Sequence, residues 1–271
     1  IKVGPSVKKV KKGDKVILHW IKSNGIQSDT PKYTYNKKTI NAGWVTTFNE
    51  YSIVSENRLT KLPFNYSLKK ASLFGCCATT SLGLVFNKLH LKKNDTLLVV
   101  GIGGLGQIIL QAAKIFKLKN LIAADINSKA LKKAKKLGAS ILVNLKKRKD
   151  INKIKNLSIN KSVVTTGNIK AIETASNLLS MPGHCYIMGV PPRKKAIKIN
   201  AWNLMHNQNI QGCLGGESKP YRDIPKFIKL DKKKLINLEK VIYKVINFKN
   251  INMGIKMFQG NYSTGRIIVK F

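Results

Sequence analysis

Residues 96–106 read Thr-Leu-Leu-Val-Val-Gly-Ile-Gly-Gly-Leu-Gly, and this stretch decides the fold. A short β-rich run leads directly into a G-x-G-x-x-G pattern at Gly101, Gly103 and Gly106. The apolar spacing from Leu105 to Phe116 is typical of a helix with one buried stripe. In such a loop the first glycine permits a tight turn, the second lets a pyrophosphate approach the backbone, and the third allows close helix–strand packing.

The same alternation of short apolar runs and helical patterns continues along the chain. The six β-rich runs are Thr96–Val100, Leu121–Ala124, Ile141–Val143, Ser162–Thr165, Cys185–Met188 and the weaker Ile210–Leu214. The helical connections are Leu105–Phe116, Ser128–Leu137 with Ser128 as a plausible N-cap, and Ile169–Leu179. Strands joined by helices in this way form right-handed crossovers and a parallel sheet covered on both faces. The fold class is therefore α/β, with a doubly wound, six-stranded Rossmann sheet.

An acidic residue at the end of the second strand gives the glycine pattern its chemical meaning. Asp125 lies 19 residues beyond Gly106 (125 − 106), where a carboxylate accepts hydrogen bonds from the adenosine ribose hydroxyls. A carboxylate there repels a 2′-phosphate, so NAD is favoured over NADP, although Lys129 nearby weakens the preference. The alternative to a cofactor site is a purely structural role, in which the glycines only form a tight strand-to-helix turn and Asp125 only caps a helix.

The flanks of the sheet read differently. Residues 1–77 are β-rich, with strand-like segments at Asp14–Trp20 and Phe48–Val54 and a turn-rich stretch at Ser23–Lys38. We therefore expect a first domain at 1–77 and a dinucleotide-binding domain at 78–216. The remainder, 217–271, contains a lysine-rich helical stretch, an amphipathic segment at Ile251–Phe258 and a final strand at Arg266–Phe271.

Composition limits the classes of function. Fifty Lys and Arg against twelve Asp and Glu give a net charge of +38, which by itself suggests a polyanion partner. Only five of the basic residues are arginine, whereas nucleic-acid readers use arginine and stacking aromatics. We therefore attribute the positive charge to a general compositional drift toward lysine, asparagine and isoleucine, and we expect no specific nucleic-acid partner. Four cysteines form no disulfide framework, and no apolar run is long enough for a membrane span, which favours a soluble protein of the reduced cytosol.

The order of several motifs resembles a known family, the zinc-type alcohol dehydrogenases of the medium-chain dehydrogenase/reductase superfamily. The motifs are Gly13-Asp14-Lys15-Val16, Phe48-Asn49-Glu50-Tyr51, Gly75-Cys76 with Ala78-Thr79-Thr80, the Gly101–Gly106 loop with Asp125-Ile126-Asn127, Gly189-Val190-Pro191-Pro192, Gly215-Gly216 and Gly265-Arg266-Ile267-Ile268. The resemblance covers almost the whole chain. It implies a β-rich, GroES-like catalytic domain that is interrupted by the Rossmann domain and completed by the C-terminal return.

The resemblance also implies roles for individual residues. Cys76 matches a cysteine ligand of the catalytic zinc, while Cys77 stands where the family usually has glycine and is a neighbour, not a ligand. Thr80, Leu105 and the Gly189-Val190 turn match positions around the nicotinamide. Arg266 matches a contact to the cofactor pyrophosphate. The cofactor-binding set is Thr80, Gly101, Gly103, Gly104, Leu105, Gly106, Asp125, Gly189, Val190 and Arg266, with Cys76 as the metal ligand.

Two departures from the family pattern concern zinc. In the family, the first zinc cysteine and a His-Glu pair come a few residues before a segment that Ile1–Val7 resembles. Both are therefore absent from this chain, and we expect it to be N-terminally truncated, with an incomplete catalytic site. No histidine stands at metal-ligand spacing to Cys76. The four close cysteines of a structural zinc site are also missing, and Ser23–Lys38 occupies that region.

The resemblance thus implies an NAD-dependent, zinc-type alcohol dehydrogenase that exchanges hydride between an alcohol and NAD to give an aldehyde or ketone, with NAD and a catalytic zinc as cofactors. We expect a cytoplasmic homodimer or higher homo-oligomer that acts on a small molecule, with no membrane partner. Two alternatives stay open. One is a zinc-free quinone or enone reductase of the same superfamily, against which Cys76 speaks, and the other is a non-catalytic basic remnant that binds the cofactor or a polyanion.

Overall fold

The computed structural model describes residues 1–260 and 263–271. The strands are β1 (Val16–Leu18), β2 (Lys32–Tyr35), β3 (Lys38–Asn41), β4 (Leu59–Lys61), β5 (Thr96–Val100), β6 (Asn120–Asp125), β7 (Ile141–Asn144), β8 (Lys161–Val164), β9 (Gly183–Ile187), β10 (Gln208–Gly212), β11 (Ile242–Asn247) and β12 (Arg266–Lys270). The α-helices are α1 (Leu68–Ala71), α2 (Cys77–Gly83), α3 (Gly104–Ala113), α4 (Ser128–Lys136), α5 (Arg148–Asn152), α6 (Ile169–Asn177), α7 (Ala201–Met205), α8 (Pro220–Lys232) and α9 (Ile251–Gln259). Short 3₁₀ or π turns extend α1, α2 and α3 to Gly75, Lys88 and Phe116.

A six-stranded parallel sheet forms the centre, in the order β10-β9-β8-β5-β6-β7. The prediction of a doubly wound sheet is confirmed, and all six predicted runs lie in it. The chain runs outward from β5 in one direction to β7 and then returns to β8 on the other side of β5. A switch point of this kind leaves a crevice at the carboxyl ends of the strands, which is where open α/β sheets bind ligands.

After Thr96, all residues of strand β5 are apolar because both faces of the sheet are covered. Leu97 and Val99 pack into a core cluster with residues of α2, α3 and α8. Leu98 and Val100 pack into a second cluster with residues of α6 on the opposite face. A strand with helices on both faces has no solvent side, so its sequence shows no alternation. No helix in the described part of the chain is both long and apolar enough to cross a bilayer.

The first part of the chain contains less regular structure than the sequence predicts. Strand β1 pairs with β4, and β2 pairs with β3, each antiparallel. The strand-like segment Phe48–Val54 is irregular, and this expectation was wrong. Its Ile53 N–H donates to the Tyr33 hydroxyl at 2.9 Å instead of to a strand ladder, and Phe48 and Tyr51 are 64 % and 71 % exposed. An apolar, β-prone run forms a strand only when a partner strand is available.

The C-terminal return packs back onto the earlier elements. Strand β11, which the sequence analysis did not identify, pairs in parallel with β12. In α8, the Asp231 carboxylate accepts hydrogen bonds from the Tyr66 hydroxyl at 2.9 Å and from the Leu238 N–H at 3.0 Å, and it forms an ion pair with Lys70. Burial and the nearby Asp231 carboxylate raise the pKa of Tyr66, so the phenol stays protonated and donates. Asp231 therefore joins the return to the segment before α2.

A single carboxylate organises the irregular N-terminal region. Glu56 is buried, and its Oε1 accepts the N–H groups of Lys8 and Lys9, each at 2.7 Å. Its Oε2 accepts the N–H of Ile26 at 2.8 Å. These N–H donors, led by Ile26, hold the pKa of the Glu56 carboxyl below its usual value.

This depressed pKa gives a testable pH dependence. Because the folded pKa of Glu56 lies below the unfolded value of about 4.3, its contribution to stability is present above that pH and is lost as the pH falls through the folded pKa. We expect Glu56→Gln to lower the unfolding temperature near neutral pH, with a deficit that shrinks below about pH 4. Thermal unfolding of both proteins from neutral to acidic pH measures this. Glu50→Gln, at an exposed position, is the control, and a deficit for Glu56→Gln that is constant with pH would contradict the assignment.

Candidate cofactor site

The glycine loop joins β5 to α3 at the switch point. Gly101 has φ +90°, in the left-handed region that favours glycine, and a Cβ on it would lie 2.6 Å from Thr165 Oγ1. A Cβ on Gly106 would lie 2.1 Å from the carbonyl oxygen of Gly101. Both contacts are closer than atoms can approach, so the turn and the close packing of α3 require these two glycines.

Gly103 differs from its neighbours in the loop. Its backbone is extended, with φ −77° and ψ −160°, and a Cβ on it would have no heavy atom within 4 Å. The protein therefore leaves open space there, directly before the ten-residue helix α3. The first N–H groups of a helix have no partner within the helix, and its dipole favours an anion. The arrangement suits a phosphate group that approaches the backbone at Gly103.

Asp125, at the end of β6, contacts this loop directly. Its Oδ2 accepts the N–H of Ile102 at 2.6 Å, and its Oδ1 accepts the N–H of Asn127 at 2.8 Å. Each oxygen keeps lone-pair capacity for a further donor. The N-cap of α4 is Asn127 and not the predicted Ser128, since the Asn127 side chain accepts the N–H groups of Lys129 and Ala130. Asp125 is thus not the cap of this helix.

Arg266, at the start of β12, reaches the same loop from the far end of the chain. A Cβ on Gly104 would lie 2.2 Å from Arg266 Nε, so the arginine side chain passes directly along the loop backbone. Arg266 Nε donates to Cys77 Sγ at 3.3 Å. Within the described ranges, no carboxylate forms an ion pair with Arg266. A half-buried guanidinium without an acidic partner at a phosphate-type loop suits an anionic ligand.

Helix α2 presents Thr80 in an unusual state. The residue is 7 % exposed, and in the described structure its buried Oγ1 has no hydrogen-bond partner. A buried hydroxyl without a partner costs free energy, so a partner supplied by a ligand fits here. Leu105 is partly buried against the core cluster, and its carbonyl oxygen accepts from the Ser81 hydroxyl at 3.2 Å, which joins α2 to α3.

The turns after β8 and β9 complete the edge of the crevice. A Cβ on Gly189 would lie 2.1 Å from the Thr166 carbonyl carbon, and one on Gly167 would lie 2.0 Å from the Val190 carbonyl oxygen. The two turns are therefore in backbone contact, and the Val190 side chain is 87 % exposed.

Sequence reasoning missed Thr165 at this edge. Its hydroxyl donates to the Gly101 carbonyl at 2.7 Å and so joins β8 to the glycine loop. The available signal was its position at the carboxyl end of the strand beside β5.

Cys76 and Cys77 have opposite environments although they are adjacent. Cys76 is exposed at the N-cap position of α2, whereas Cys77 is buried. Burial raises the pKa of the Cys77 thiol, against the opposing effect of Arg266. No group of three or more His, Cys, Asp or Glu residues that could hold a metal occurs in the part of the chain that the structure describes.

The four histidines lie in separate parts of the described structure. His19 is buried and lies within hydrogen-bond distance of the Ile21 carbonyl and the Thr60 hydroxyl. His90 has a left-handed backbone, His184 is exposed on β9, and His206 contacts the Trp202 carbonyl.

Comparison with known proteins identifies relatives of this arrangement. A family model described as zinc-binding dehydrogenase matches residues 104–232. Alcohol dehydrogenase 1 of Petunia hybrida is 29 % identical over 214 residues, 76 % of this chain and 56 % of the relative. Alcohol dehydrogenase 3 of Hordeum vulgare is 28 % identical over 228 residues, 82 % of this chain and 60 % of the relative. The chain therefore spans a little over half the length of these curated relatives.

Solved structures show the same fold. The 2R,3R-butanediol dehydrogenase from Bacillus subtilis matches with a TM-score of 0.79 and 24 % identity over 100 % of this chain and 77 % of that one. The benzyl alcohol dehydrogenase from Acinetobacter calcoaceticus matches with a TM-score of 0.76 and 23 % identity over 80 % and 61 %. Fold, matched family model and related sequences agree with the resemblance found in the motifs. The chain is thus similar in sequence to alcohol dehydrogenases, and its residues 104–232 match the family model of zinc-binding dehydrogenases.

Proposed function

We propose that this chain contains the dinucleotide-binding unit and part of the catalytic unit of an NAD-dependent, zinc-type alcohol dehydrogenase. The reaction would transfer hydride between an alcohol and NAD and give an aldehyde or ketone. One observation carries the proposal: a Cβ on Gly103 would meet no protein heavy atom within 4 Å, while the Asp125 carboxylate contacts Ile102 of the same loop and the Arg266 side chain passes along Gly104. This combination fits the ribose and the pyrophosphate of a dinucleotide.

Different residues at the crevice would bind different groups of NAD. Gly101, Gly103, Gly104 and Gly106 would place the pyrophosphate at the start of α3, where Arg266 would offset its charge. Asp125 would accept the hydroxyls of the adenosine ribose. The nicotinamide group would lie at Thr80, Leu105, Gly189 and Val190, where the buried Thr80 hydroxyl would gain a partner. When bound, the cofactor supplies the hydride acceptor or donor, and the protein supplies its orientation.

Zinc does not fit the described residues by themselves. A catalytic zinc needs three protein ligands, and the described ranges contain no such group around Cys76. Cys76 is therefore proposed as one ligand position of the whole enzyme.

The wider setting of the enzyme is likewise a proposal. We place a β-rich catalytic unit at 1–77, the NAD-binding unit at 78–216 and the catalytic return at 217–271. The whole protein would act on a small alcohol or aldehyde in the cytoplasm as a homodimer or higher homo-oligomer, without a specific nucleic-acid or membrane partner. Curated relatives named as alcohol dehydrogenases support the alcohol as the substrate class.

Titration with NADH and NADPH tests the cofactor assignment. Because the Asp125 carboxylate would face a 2′-phosphate, we expect NADH to bind about 10-fold more tightly than NADPH. Asp125→Asn removes this negative charge and should bring the affinities for NADH and NADPH closer together. Asp29→Asn, at an exposed position, should leave the ratio of the two affinities unchanged. Dissociation constants from calorimetry give both ratios. Binding of neither dinucleotide would overturn the proposed function, and tighter binding of NADPH would overturn the choice of cofactor.

A further inference from the structure

Cys77 makes a contact that the proposed function does not explain. It is the first residue of α2 and is 4 % exposed. Its Sγ accepts a hydrogen bond from Arg266 Nε at 3.3 Å, between residues 189 positions apart in the chain. Among the described residues, this sulfur is the one partner recorded for the Arg266 guanidinium.

The backbone near Arg266 is held by other groups. The carbonyl oxygen of Thr264 accepts from Gln107 Nε2 at 2.6 Å and from Lys133 Nζ at 2.9 Å. The same Gln107 Nε2 also donates to the carbonyl oxygen of Ile102 in the glycine loop at 3.1 Å. The start of β12 is therefore fixed to the loop without Cys77. What the thiol contact decides is the direction of the Arg266 side chain.

The direction of the Arg266 side chain matters because the side chain lies beside the glycine loop. Arg266 passes within contact distance of Gly104, next to the open space at Gly103. Since Nε is used by Cys77, the two terminal nitrogens stay available, and these are the atoms that bind a phosphate in a bidentate way. An arginine has many rotamers in the absence of such a contact, and ordering them on binding costs free energy.

We propose that Cys77 is a positioning residue that holds the Arg266 guanidinium ready for the pyrophosphate of the cofactor. This inference rests on the proposed binding of NAD and assigns to Cys77 a role in the affinity for its diphosphate group. Cys77 itself touches no part of the ligand.

Variants of the full 271-residue chain test the proposal by calorimetry with NADH, inorganic diphosphate and adenosine. Loss of a hydrogen bond that a charged group donates to a weak sulfur acceptor corresponds to about 3- to 10-fold, so we expect Cys77→Ala to weaken the binding of NADH and of diphosphate by that factor. Adenosine has no phosphate, so the affinity of Cys77→Ala for adenosine should stay within about 2-fold of the wild-type affinity. Cys77→Ser keeps an acceptor atom and should restore most of the affinity.

Cys185→Ala is the matched control. Cys185 is a fully buried thiol in β9 and belongs to the core cluster on the opposite face of the sheet, so its removal creates a similar cavity away from Arg266. In an Arg266→Ala background, Cys77→Ala should cause no further loss, because residues that act through one another are not additive.

Each outcome has a distinct meaning. If Cys77→Ala behaves like Cys185→Ala, weakens adenosine as much as diphosphate, or still weakens diphosphate without Arg266, the positioning role is wrong while the proposed function stands. If wild type binds diphosphate, Cys77→Ala weakens that binding only when Arg266 is present, and wild type does not bind NADH, then the positioning role stands and the proposed function is wrong. If wild type binds neither NADH nor diphosphate, both are wrong.

Discussion

Replacing Gly103 with valine is expected to abolish NADH binding while the protein still folds. A Cβ at Gly103 meets no protein atom within 4 Å, and its backbone is extended, so the fold accepts a side chain there. The same space is where a pyrophosphate would approach the loop, and a branched side chain would fill it. We expect NADH affinity to fall by about 100-fold or more, with the unfolding temperature nearly unchanged.

Gly106→Ala provides the opposite case in the same loop. Its new methyl group would lie 2.1 Å from the Gly101 carbonyl oxygen, so helix α3 could not pack as it does. We expect a clear loss of stability, of about 1–3 kcal/mol for overpacking. Calorimetry for binding and thermal unfolding for stability, applied to both variants, separate the two roles. Wild-type affinity in a folded Gly103→Val protein would show that no dinucleotide crosses this loop.

The second large effect concerns stability. Asp231→Ala removes the carboxylate that accepts from Tyr66 and Leu238 and pairs with Lys70, and the Asp231 side chain is only 2 % exposed. It leaves a buried phenol and a buried N–H without their acceptor, which we expect to cost about 2–4 kcal/mol. For a chain of this size the unfolding temperature should fall by roughly 2–4 °C for each kcal/mol. Chemical and thermal denaturation measure both quantities.

Glu239→Ala is the control for this prediction, because Glu239 pairs with Lys69 beside the same helix but both side chains are exposed. Exposed ion pairs contribute about 0–1 kcal/mol. Equal losses for Asp231→Ala and Glu239→Ala would mean that the buried network does not stabilise the C-terminal return. Asp231→Asn keeps an acceptor oxygen and should give an intermediate loss.

The structure gives a role to most of the few acidic residues. Eight of the twelve carboxylates accept at least one backbone N–H in the described chain: Asp14, Glu56, Asp95, Asp125, Asp150, Glu173, Asp223 and Asp231. Most of the acidic residues therefore serve as acceptors for backbone N–H groups.

Much of the site could be predicted because its signals are local. The turn at Gly101, the close packing at Gly106 and the acid at the end of the next strand occur within 25 residues (125 − 101 = 24 steps). Their chemistry follows from backbone conformation and from the order of strand, loop and helix. The partners of these residues could not be predicted in the same way. The contacts of Thr165 with the loop and of Arg266 with Cys77 join segments 64 and 189 residues apart.

The sequence by itself determined the six parallel strands, the phosphate-type loop and Asp125, because apolar runs, glycines and an acid at fixed spacing specify local structure. Tertiary structure alone decided that Phe48–Val54 forms no strand, since strand formation depends on a partner that the run itself does not provide. It also decided that β11 pairs with β12 and that Arg266 lies beside Gly104. These outcomes depend on which distant segments the folded chain brings into contact, and a local pattern carries no information about that choice.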